Sequence, residues 1–153
     1  MHVLVATDGS RASLAAARQL KAFADPARFT DVSVVAVISP LAAVPFVDEI
    51  SGSRASAADP TALSFRDEAH AAVEAVAAEF ADWPASVHRR VLSGSPAAEI
   101  VAMAEHLPAH LIVVASGSQG LTQTVLLGSV AQRVQHSAPC PVLVTRPTPR
   151  GQG

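Results

Sequence analysis

Four stretches of the chain are short, apolar and rich in β-branched residues: HVLVA at 2–6, DVSVVAVIS at 31–39, HLIVVA at 110–115 and PVLV at 141–144. Apolar runs of this length, bounded by turn formers, read as strands buried on both faces. Segments of helical period separate them. Residues 11–24 are alanine-rich, with Leu14, Ala17, Leu20 and Ala24 spaced along one helix face. Phe65, Ala69, Ala72, Val73, Val76 and Phe80 mark the buried stripe of a second helix. ASVHRRVLS at 85–93 alternates and reads as a less buried strand. GSPAAEIVAMAEHL then opens a third helix, with Ser95 as N-cap, Pro96 in the first turn and Glu99 near the positive end of the dipole. Gly128-Ser129 begins a short last helix, with Ser129 read as its cap, before the PCPVLVTR strand.

Strands that alternate with helices imply an α/β protein with a parallel sheet covered on both faces. In such sheets ligands lie beyond the carboxyl ends of the strands, where the strand order reverses. The ends of the first and fourth strands, TDGS and SGSQG, are therefore the places to look. Residues 40–63, with Pro45, Gly52, Pro60 and several serines, read as a long loop. A single domain over 1–146 and a flexible tail at 147–153 account for the 153 residues.

Composition narrows the function classes. Half the residues are hydrophobic and 16% are charged, the pattern of a globular domain. A net charge of −2 gives no reason to expect nucleic-acid binding, and Arg89-Arg90 has no aromatic neighbour on its strand. Glu105 is the last acidic residue; Arg133, Arg146 and Arg150 follow it, so a site built from the last third leans toward anions. A lone cysteine, Cys140, excludes an internal disulfide and a thiolate zinc cluster. No leader and no membrane-length apolar run is read, which places the protein in the cytosol and away from membranes. His106 and His110 are four apart, but Pro108 ends the helix between them, so no metal site is expected. His2 and His88 fall on strands, and His70 on a helix face with Glu74. SGSQG is one residue from a nucleophile elbow, yet no Asp or Glu follows Ser118, and the hydrolase reading fails.

TDGS, GSPAAEI, LIVV, LLGSVAQRV and HSAPCPVLVTR, in this order, resemble the universal stress protein family from the first strand to the last. The resemblance implies a Rossmann-like five-stranded parallel sheet of order 3-2-1-4-5 and a homodimer through the last strand, here Pro141 to Val144. Some members bind ATP, as Mg-ATP, and others do not. In the binding branch the adenosine lies against the Asp ending strand one and a Val in strand two, by position Asp8, with its neighbour Thr7, and Val37. The phosphates sit on a loop of form Gly-x2-Gly-x9-Gly-Ser/Thr.

That loop departs from the pattern here. Gly117 and Gly120 fit Gly-x2-Gly but leave only seven residues before Gly128. The register that keeps the family distance from LIVV to LLGS puts Ala115 and Ser118 at the glycine positions, and it is adopted. A phosphate loop works through backbone N–H groups aimed at the anion. Alanine or serine in a left-handed conformation costs on the order of 1 kcal/mol, and a Cβ can intrude on the ligand. Affinity then falls by roughly tenfold per site. The hydroxyls of Ser116, Ser118 and Ser129 remain. Asp8 and Gly128-Ser129 also read as plain helix starts, and Cys140 as a packed thiol. Two readings stand: a dimeric stress protein switched by ATP at Thr7, Asp8, Val37, Ala115, Ser116, Gly117, Ser118, Gly128 and Ser129, or a nucleotide-independent interaction module acting through its dimer. No catalytic residue is evident, although a slow ATPase is a variant of the first.

Overall fold

Val3, Leu4 and Val5 are completely buried in strand β1 (His2–Thr7), whose apolar residues leave both faces of the strand to be covered. The computed structural model describes residues 1–39, 62–117 and 128–146. After β1 come helix α1 (Arg11–Phe23), a single 3₁₀ turn (Pro26–Arg28) and strand β2 (Asp31–Ile38). Helix α2 (Ala62–Ala78), strand β3 (Ser86–Ser93), helix α3 (Pro96–His106), strand β4 (Leu111–Ala115), helix α4 (Ser129–Ser137) and strand β5 (Val142–Thr145) follow. All pairings are parallel, in the order β3-β2-β1-β4-β5. The fold expected from the sequence is the fold found.

Each face of the sheet has its own core. Val3, Val5, Val32 and Val34 pack with Ala16, Ala17 and Leu20 of α1 and Ala69, Val73 and Val76 of α2. Leu4, Val35, Ile112 and Val114 face Ala97, Ile100 and Ala104 of α3 and Ala131 and Val134 of α4. The alternation within each strand divides its residues between the two layers. Helix α2 starts at Ala62, inside the expected 40–63 loop, and ends at Ala78. Phe80, expected on its stripe, instead packs from the following turn, edge-on to Trp83 at 5.0 Å. Trp83 stacks on Phe29 at 5.3 Å. The rest of the 40–63 loop and the 147–153 tail lie outside the described residues. No helix among the described residues is long and apolar enough to cross a membrane.

Candidate functional site

The chain turns one way from β1 to β2 and β3, and the other way through β4 to β5, so the topological switch lies between β1 and β4. Those two strands pair over Val3↔Leu111, Leu4↔Ile112 and Val5↔Val113. Carried forward, that register sets Thr7 level with Ala115. The crevice beyond these strand ends is the candidate site.

One lip is built by the TDGS turn. Gly9, at φ 82°, takes the left-handed conformation that turns the chain into α1. Ser10, completely buried, is the N-cap of α1, and its hydroxyl accepts from the Ser13 N–H at 3.2 Å. The same hydroxyl donates to Asp8 Oδ1, which also accepts the Ser10 N–H at 3.0 Å. Asp8 was expected as a cap. It braces the cap instead, with its side chain exposed and both bonds on one oxygen. Thr7 is buried beneath it. Its hydroxyl accepts the Gly9 N–H at 3.1 Å and meets the Ser13 hydroxyl at 2.7 Å. Ser13 donates to the Ser10 carbonyl at 2.8 Å, so the proton direction is fixed: Thr7 donates to Ser13. Ser10 and Ser13 were not singled out in the sequence, although a serine three residues before another at a helix start was the available signal.

The other lip follows β4. Ser116 is buried and donates its N–H to the Thr145 carbonyl at 2.9 Å. Its carbonyl accepts the Gly128 N–H at 2.6 Å, which joins the end of β4 to the start of α4. A Cβ on Gly128 would stand 3.2 Å from the Ser116 oxygen and 3.3 Å from the Gly117 Cα, so a side chain there would press the junction apart by a few tenths of an ångström. Gly117 holds the left-handed conformation, at φ 119°.

Two readings of this loop are corrected. Ala115 is an ordinary extended residue at the end of β4, paired with Thr145, so the backbone strain expected from alanine at this position does not arise. Ser129 is not a cap: Gly128 holds the N-cap position without a side-chain bond, and Ser129 is the exposed first residue of the helix. Ser95 does stand at the N-cap of α3 but makes no side-chain cap bond. Val37 is partly buried at the carboxyl end of β2 and packs on the α3–α4 layer. Ser118 lies outside the described residues. The structure thus brings Thr7, Asp8, Ala115, Ser116, Gly117 and Gly128 to the ends of two adjacent strands. An open groove of about 830 Å³ between α3 and α4 is lined by Val101, Glu105, Arg133 and His136 among others, and by none of the crevice residues.

The chemistry on offer is a fixed carboxylate acceptor on one lip and backbone groups with glycine freedom on the other. The carboxylate is an acceptor for hydroxyl and amine donors, while the Ser116 and Gly128 N–H groups are already taken by the Thr145 and Ser116 carbonyls. The model describing the universal stress protein family matches residues 1–146, and the chain belongs to that family. It is 33% identical over 148 residues to the universal stress protein MJ0531 of Methanocaldococcus jannaschii, covering 94% of this chain and 81% of that one. The solved structure of the hypothetical protein MJ0577 superposes with a TM-score of 0.73 at 25% identity, over 96% of both chains. A universal stress protein solved in complex with cAMP superposes with a TM-score of 0.67 at 23% identity, over 95% of this chain and 96% of that one.

Proposed function

We propose that this universal stress protein binds an adenine nucleotide in the crevice between the ends of β1 and β4 and works in the cytosol as a nucleotide-responsive dimer. The observation that carries the reading is the Asp8 carboxylate, exposed at the switch point with Oδ1 gripped by Ser10. Oδ2 takes no bond from the described residues and is left to accept from ribose hydroxyls or the adenine amine. The cAMP complex of a protein with this fold supports the same ligand class. Ser116, Gly117 and Gly128 lie where the phosphates would approach, and Mg²⁺ would accompany a triphosphate.

Binding without turnover is the proposed activity, since Asp8 already has one oxygen committed to Ser10 and no general base is assigned. Homodimerisation is proposed through β5. It is an edge strand of half-buried valines and leucine, and an edge of that kind seeks a partner. Calorimetric titration of nucleotide-free protein with Mg-ATP and with cAMP tests the ligand. Micromolar binding that disappears in Asp8→Ala supports the reading. A folded dimer that takes up no nucleotide at millimolar concentration would leave the dimer itself as the functional element.

A further inference from the structure

At the opposite end of the sheet, the amino ends of four elements meet in a cluster of imidazoles. His2 and His110, which stand 108 residues apart, exchange two hydrogen bonds: the His110 N–H donates to the His2 carbonyl at 2.8 Å, and the His2 N–H donates to His110 Nδ1 at 3.1 Å. The second bond requires a lone pair on Nδ1, so the imidazole is neutral with its proton on Nε2. The ring of His2 reaches the other way and hydrogen-bonds through Nε2 to the buried hydroxyl of Ser33, at 2.8 Å. Its centroid lies 6.1 Å from that of His88. His88 in turn donates from Nε2 to Asp31 Oδ1 at 2.9 Å.

The charges around His2 are unbalanced. Asp31 from β2 is the carboxylate that favours a proton on His2; His88 and Arg90 from β3 and His110 before β4 all oppose one. Arg90 Nε is itself buried without a protein partner among the described residues. The Met1 ammonium, next along the chain, is engaged by the Arg28 carbonyl at 2.8 Å. Burial, joined by His88, Arg90 and His110 against the opposing pull of Asp31, holds the His2 imidazole below its ordinary pKa of 6.5.

We propose that His2 and His110 form an acid-released clasp on the β1–β4 seam. A proton on His110 Nδ1 converts the acceptor of the His2 N–H into a donor. Two N–H groups then face each other, and a positive charge is added beside His2, His88 and Arg90. The neighbouring seam responds in the opposite direction, because a protonated His88 meets an ionised Asp31 and their bond becomes charge-assisted. Acid therefore loosens β1 from β4 while β2 and β3 remain joined. The β1–β4 ladder is vulnerable because it spans only Val3 to Val5 on β1, whereas the β2–β3 ladder runs from Asp31 to Ile38.

The sign follows from linkage. The depressed folded pKa of His2 adds a loss of the same direction: its imidazole stabilises the fold above the unfolded value, and that stability drains away as pH falls through 6.5 toward the folded value. The clasp does not depend on the nucleotide reading.

The experiment is NMR on the wild-type protein without ligand, from pH 7.5 to 5, together with urea unfolding of wild type and His110→Asn. Asparagine places an amide oxygen near the Nδ1 position and does not titrate. The expected result is a His2 amide resonance that shifts with the midpoint of the His110 ring protons, and an opening of that amide that increases in acid after correction for intrinsic exchange. The wild-type folding constant should fall on the order of fivefold more than that of the variant, the equivalent of one net hydrogen bond. A His2 amide indifferent to the His110 titration, or parallel pH profiles for the two proteins, would overturn the proposal. If the variant does not fold, the wild-type titration decides by itself.

Discussion

Ser10 holds one oxygen of the Asp8 carboxylate from two directions, through its backbone N–H at 3.0 Å and through its hydroxyl. The same hydroxyl caps α1, so a single serine both starts a helix and aims the carboxylate above it. Ser10→Ala is expected to cost about 1 kcal/mol for the lost cap. It should also weaken nucleotide binding, because Asp8 is freed to rotate. Asp8→Ala should abolish binding outright and also lower the thermal midpoint, since the buried Ser10 loses the acceptor of its N–H and hydroxyl. Calorimetry for binding and for melting, run on both variants, separates the two effects.

Gly128→Ala places a methyl 3.2 Å from the Ser116 oxygen. The stem must open by a few tenths of an ångström or bend, at a cost of about 1–2 kcal/mol. For a domain of this size that is about 3–8 °C in melting temperature, measurable by scanning calorimetry. An unchanged melting temperature would mean that the stem yields freely.

Ala115→Gly relieves no backbone strain, because Ala115 is extended in β4. The expected outcome is a loss of about 0.5–1 kcal/mol from the flexibility of glycine within a strand. Nucleotide affinity should remain within about twofold, since roughly 0.4 kcal/mol or less is at stake. A large gain in affinity would instead show that the alanine methyl had been crowding the ligand.

The acid limb of stability has a separate origin. Bonds from His88 and then Thr30 hold the Asp31 carboxyl below its ordinary 3.8. A depressed carboxylate stabilises the fold above the unfolded value, and the gain is lost as pH falls through the folded one. Asp31→Asn should therefore be less stable than wild type near pH 5, with the gap narrowing once the pH falls below 3.8. Urea midpoints at the two pH values test this.

The proposed dimer has a specific weak point. Ser116 donates to the Thr145 carbonyl and Ile112 to that of Pro141, so alternate residues of β5 bond inward to β4. In a parallel strand, Val142 and Val144 then direct their N–H and C=O groups outward. Val144→Pro removes an outward donor and spares the inner ladder. Light scattering should report one chain's mass for this variant and two for wild type; a variant that stays dimeric would exclude pairing through this edge.

Strands were legible in the sequence because β-branched apolar runs admit few other readings, and all five lie within about two residues of their expected bounds. The first lip of the crevice was half legible. Thr7 and Asp8 follow from the strand end, but the cap falls on Ser10 because Gly9 turns the chain once more before α1 begins. On the second lip, the Gly128 approach to Ser116 is a tertiary contact between segments whose spacing carries no sign of it. The same holds for His2 and His110. Each reads as a solitary histidine on or beside a strand, and only the placement of β1 next to β4 makes them reciprocal partners.

The bond between Gly128 and Ser116 has one more consequence. Because the chain leaves the sheet and returns to it at a single junction, the segment 118–127 enters and exits through the same doorway. Closing a loop costs only about 0.6 kcal/mol for each doubling of its length, so a longer connection between Gly117 and Gly128 would be closed at little further entropic cost. An insertion between Gly117 and Gly128 is therefore expected to leave the melting temperature nearly unchanged, which scanning calorimetry reads directly.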